Sequence, residues 1–166
     1  MEPACTVAEC STVSPDLHPH NFQHQKLAQA ILQETPVLES KLIQNCHLPP
    51  ESAMLALTEV VRFLNLIAYS NQTLTPSKLI DAVWHEFILC TKAYGEFCET
   101  YFCRMIHHHP GGSSDEHYRQ QYLRTLSLYT TTFGTLDAKF WPRPIVTDHK
   151  AECGACEAAS ENHSIG

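Results

Sequence analysis

Charge is scarce in this sequence. Only 17% of its 166 residues are Asp, Glu, Lys or Arg, against about one-quarter in ordinary domains. Basic residues are the rarer sign, 11 against 18 acidic ones, for a formal charge of −7. That balance excludes nucleic acid as the main partner, because affinity for phosphate comes from Lys and Arg. Glycine is scarce as well, with 6 in the chain, and Gly111-Gly112 follows Pro110 without opening a phosphate-binding loop. No apolar run is long. Val60 to Tyr69 is interrupted by Arg62 and Asn65, well short of the roughly 20 apolar residues that cross a bilayer. Met1 to Cys5 has neither the basic nor the apolar region of a secretory signal. The expectation is a cytoplasmic protein with no membrane contact and with reduced thiols. Strand-like alternation is also missing, as are the Gly-x-Ser-x-Gly elbow and the His-Glu-x-x-His zinc motif, since Leu89 stands where its second His belongs.

What remains is apolar periodicity, at 43% hydrophobic residues, too much for a disordered chain of low charge. Residues 1–20 hold Pro3, Pro15 and Pro19 and no periodicity, and read as an irregular arm. Phe22, Leu27, Ala30 and Ile31 recur at helical spacing until Pro36, and a shorter helical stretch follows over Val37 to Ile43. Pro49-Pro50 opens the strongest helix, to about Ser70, with an apolar stripe wide enough for the centre of a bundle. Thr75 with Pro76 is the expected start of the next helix. That helix either runs on through Tyr94, Phe97 and Phe102 or restarts at Thr91, and the His107-His108-His109-Pro110 run must end it. Ser113 and Glu116 fit a capping box for a last helix to Phe133, with Gly134 at its C-cap. The fold class is therefore all-α: a single-domain bundle of four to five helices over 21–142, between the arm and a flexible tail over 143–166.

Eight cysteines and 11 histidines in such a chain point to metal or thiol chemistry rather than disulfides. Cys46 and Cys90 read as small buried hydrophobes, and Cys5 and Cys10 are too isolated to interpret. The informative segment is Asp81 to Phe87, then Cys98, then the His triplet. Asp81 and His85 stand four apart and share a helix face, so the carboxylate can orient the imidazole. Cys98 and His107 or His108 would complete the usual ligand set of zinc or another transition metal. Trp84, Glu86 and Tyr94 are candidate supporting or structural residues, with Glu86 a possible base. The plainer alternative is a polar Asp81–His85 pair, a core Trp84 and a His triplet that interacts with a helix dipole. The tail adds His149, Cys153, Cys156 and His163, a weaker metal or dithiol candidate or an inert extension.

Several of these residues recur in one longer pattern. Asp81-x-x-Trp84-His85-x-x-Ile88, Thr91-x-x-Tyr94-x-x-Phe97-Cys98 and His107-His108-x-Pro110, with Arg62-Phe63-Leu64 upstream and Thr125-Leu126, Leu128-Tyr129, Phe133-Gly134 and Trp141-Pro142 downstream, resemble the glycine-rich domain-containing protein-like family. That family consists largely of uncharacterised bacterial proteins with plant relatives. The resemblance spans roughly residues 50–142 and implies a helical domain with its Trp-His, Cys and His-His positions at one central site. Many relatives have a second His where Phe87 stands and Gly at the position of Cys103. A four-ligand site in this chain would therefore draw on Asp81, Cys98 and the His107–His108 pair. The leading expectation is an intracellular metal protein with a buried His/Cys/carboxylate site. One alternative is a non-catalytic interaction module that binds an unknown protein partner through residues 118–129, and another is a metal-dependent hydrolase with an open coordination position.

Overall fold

The structure, a computed structural model, describes residues 16–109 and 115–144. Among the described residues it is all-helical, and the helices number six rather than four or five. They are α1 (His24–Glu34), α2 (Pro36–Asn45), α3 (Pro50–Ser70), α4 (Lys78–Leu89), α5 (Thr91–Phe102) and α6 (Asp115–Phe133), after a 3-10 turn at Pro19–Asn21.

The boundaries follow local chemistry. Pro36 cannot continue α1, so the chain turns at Thr35 and restarts. Pro50 occupies the first turn of α3, where its missing N–H costs nothing, and Asn71 closes the helix in a left-handed conformation (φ 52°). Thr75 does not cap α4. Ser77 does, its hydroxyl accepting from the Ile80 amide at 3.2 Å. Thr75 is buried instead, its amide donating to Thr125 Oγ1 at 3.0 Å and its hydroxyl to Gln121 at 2.9 Å. The chain does restart at Thr91: Cys90 leaves helical geometry (φ −83°, ψ 60°) and α5 folds back along α4. The end of α5 comes earlier than expected, at left-handed Cys103, so the His triplet belongs to the segment after the helix and not to its last turn. Gly134 lies beyond α6 at φ 86°, with its amide on the Thr130 carbonyl. Ser113 and the tail residues His149, Cys153, Cys156 and His163 lie outside the described residues.

Helix α3 is the axis, and helices α1, α2, α4 and α6 pack around it. Val60, Val61, Phe63, Leu64 and Leu66 are completely buried, each contributing about 1.5–3 kcal/mol. By length and composition α3 could cross a membrane, which the short Val60–Tyr69 run did not suggest, but most of it is buried inside the bundle. Its buried asparagine is satisfied internally. Asn65, with no exposure, accepts through Oδ1 from His24 Nε2 at 2.9 Å and donates through Nδ2 to the Leu17 carbonyl, also at 2.9 Å. The end of the expected arm is thus docked: Pro19 is buried and Leu17 is tied to the core. Residues 118–129 do not form an exposed aromatic face either, because Tyr122, Leu126 and Tyr129 are buried in the bundle core. After α6, residues 137–142 strap back over the bundle. The Ser77 hydroxyl donates to the Phe140 carbonyl, and Trp141 Nε1 donates to Glu59 on α3 at 2.8 Å.

Candidate metal centre

Asp81 lies in the first turn of α4 and His85 one turn later, so helical spacing stacks them on one face. His85 Nδ1 lies 2.8 Å from the Asp81 backbone carbonyl and 3.5 Å from its Oδ2. A carbonyl only accepts, so Nδ1 carries a proton and donates it. The third member is His108, from the segment after α5. Its Nε2 lies 2.8 Å from Asp81 Oδ1, and it donates, because a carboxylate has no proton to give. The two imidazoles stand 4.2 Å apart, centroid to centroid, and the His108 ring meets Trp84 edge-on at 4.7 Å.

One donor atom from each of Asp81, His85 and His108 lies within 4.8 Å of the other two. Donors about 2.1 Å from a common zinc ion stand about 3.4 Å apart, so the set lies near ligand spacing, with Asp81 and His108 already 2.8 Å apart and His85 the member left to adjust. His85 has the freedom to do so, with its side chain 50% exposed while Asp81 and His108 are each 16% exposed. The site is a half-buried rim rather than the buried centre expected from the sequence.

Two expected ligands are elsewhere. Cys98 is fully buried on α5. Burial raises its thiol pKa, outweighing the Ile106 amide and Tyr94 hydroxyl beside the sulfur. A ligating Cys must be a thiolate, and this thiol is neither deprotonated readily nor part of the converging set. His107 is exposed and also outside that set. Glu86 leaves the site on the opposite side of α4. Its carboxylate accepts from Asn45 of α2 at 2.9 Å and lies 3.8 Å from Lys41, so it cannot serve as a base for the triad. Phe87 is completely buried against Tyr94 and Phe97. A His there would face the core, since two residues advance a helix by about 200°.

Trp84 and Tyr94 support the site. Trp84 Nε1 donates to the Tyr94 hydroxyl at 3.1 Å, and that hydroxyl donates to the Ile106 carbonyl at 2.6 Å. Burial pushes the phenol pKa upward, which keeps it a donor.

A family model described as UCP032817-like matches residues 22–137. The chain belongs to the UCP032817-like family. The UCP032817-like region contains all six helices and the whole Asp81–His85–His108 set, while the tail cysteines fall outside it. The description differs from the glycine-rich-domain name suggested by the Asp81 to Trp141 motifs. No curated protein and no solved structure matches the chain.

Proposed function

We propose that this UCP032817-like protein binds a divalent transition-metal ion, zinc first among them, through Asp81, His85 and His108. The observation that carries the proposal is the convergence of two imidazoles and a carboxylate from separate elements, His108 being 27 residues from Asp81. Their chemistry suits zinc or iron. Three protein donors on a rim that faces solvent leave a position for water, the arrangement of catalytic rather than structural sites. A metal-dependent hydrolase is the enzymatic form of this reading, with the base supplied by a residue other than Glu86.

A second reading rests on the 2.8 Å Asp81–His108 hydrogen bond and on Trp84 against the His108 ring. These contacts satisfy the residues without an ion, as a structural latch in a non-catalytic interaction module. Elemental analysis of untagged protein purified without added metal separates the two. The metal reading expects about one equivalent in the wild type, lost in Asp81→Ala and His108→Ala and kept in Cys98→Ala and His107→Ala. Metal-free protein that gains neither zinc, iron nor thermal stability on titration with those ions would overturn it.

A further inference from the structure

We infer that Tyr94 selects which histidine of the His107–His109 triplet reaches Asp81, acting as a positioning residue through the backbone of Ile106. Three identical side chains in a row cannot distinguish themselves, so a neighbour must set the register. From Ile106 to His109 the chain alternates buried, exposed, half-buried, exposed, which is the two-residue period of extended backbone. Fixing Ile106 inward therefore fixes His108 inward and leaves His107 and His109 in solvent, and a slip of one residue exchanges the two sets. Tyr94 holds that peptide from α5, its hydroxyl donating to the Ile106 carbonyl at 2.6 Å. Trp84 holds the phenol from α4, and its ring also borders His108. The carbonyl hold and the Asp81–His108 bond lie two residues apart on the same segment, so loss of the first frees the second to slide.

The metal arm of the test rests on the proposed metal site, while the first arm needs no metal. In metal-free full-length protein, imidazole nitrogen–proton NMR should show a protected His108 Nε2–H, assigned by its loss in His108→Ala. Tyr94→Phe keeps the ring and removes the hydroxyl. This variant should lose the protected signal and bind zinc about 10-fold more weakly in chelator competition. His107→Ala and His109→Ala, neutral alone, should weaken zinc binding further in the Tyr94→Phe background. If Tyr94→Phe lowers thermal stability but keeps both the protected proton and the wild-type zinc affinity, the selection role is refuted. Should that variant fail to fold, His108→Ala alone decides. With the register held, neither neighbour can substitute and zinc binding is lost, whereas retained affinity would overturn the inference. A protected proton that disappears in Tyr94→Phe, in a protein that binds no zinc, supports the selection and defeats only the metal reading.

Discussion

Glu59 offers the sharpest test of what holds the bundle together. It lies mid-way along α3 at 6% exposure, where an ionised carboxylate is costly unless donors surround it. Three do. Arg62 Nη1 donates to Oε1 at 2.8 Å, while the Tyr129 hydroxyl and Trp141 Nε1, the latter at 2.8 Å, donate to Oε2. Glu59→Ala removes both carboxylate oxygens together and leaves the Arg62 guanidinium, whose Nε is already buried without a partner, with the Tyr129 hydroxyl at 3.1 Å as its remaining acceptor. Removing one member of a buried charged group costs about 3–5 kcal/mol. The Arg62 side chain is 37% exposed and can recover some hydration, which places the loss near the lower end. At about 2–4 °C per kcal/mol for a chain of this size, the melting temperature falls by about 6–12 °C. Glu59→Gln keeps the volume and one carbonyl, which can still accept from Tyr129 and Trp141. It turns an amide toward Arg62, and forfeits one charge-assisted bond, about 1.5–3 kcal/mol. Urea unfolding followed by tryptophan fluorescence is the assay, since Trp141 touches the substituted group. The reasoning is refuted if Glu59→Ala lies within about 1 kcal/mol of wild type, a loss well below the buried-pair range, or if Glu59→Gln is the more damaging of the two.

Other outcomes follow from single residues. Burial holds the His24 pKa below its ordinary value of 6.5, despite the Asn65 hydrogen bond. Protons then bind the unfolded chain more readily than the folded one, so stability from this group is intact above pH 6.5 and declines as pH falls below it, until the folded-state pKa is passed. Urea unfolding across that range should show a shallower decline in His24→Gln. Burial, with Glu86 nearby, pushes the Cys46 thiol up to about 11, and burial also raises Cys98. Both should therefore alkylate slowly at pH 8 in native protein and rapidly in urea, as read by peptide mass mapping. Gly134 stands at φ 86° with open space around it, so Gly134→Ala should cost about 1–2 kcal/mol from backbone strain alone, and equal stability by calorimetry would contradict that account.

The helical class was legible because the wide stripe from Met54 to Ile67 has no competing strand pattern, and because Pro36, Pro50 and Gly134 punctuate the chain through their own covalent limits. The helix count was not. The break at Cys90 carries no Gly or Pro, and arises where Phe87 and Tyr94 meet across the α4–α5 hairpin at 5.1 Å. Thr75 looked like a cap because its side chain and the following proline suit one, but its hydroxyl is engaged by Gln121, a partner 46 residues away. In the site, the Asp81–His85 pair could be read from spacing. Cys98 could not be separated from a ligand by residue type, since only depth and its Tyr94 neighbour distinguish a packed thiol from a coordinating one. Nor could the sequence choose among three adjacent histidines. A signal that could have chosen is Ile106, whose apolar side chain sets the inward phase of the segment.

The strap has a consequence for how the chain is made. Glu59 receives an indole that follows it by 82 residues. At about 5–20 residues per second, the interval between the two during translation is on the order of 4–16 s. Throughout it the central helix carries a carboxylate with only Arg62 available from its own neighbourhood, beside a vacant slot shaped for Phe140 and Trp141. A nascent chain in that condition presents the apolar surface that chaperones and proteases recognise, so a ribosome stalled between these two positions should yield a product cleared rather than stored.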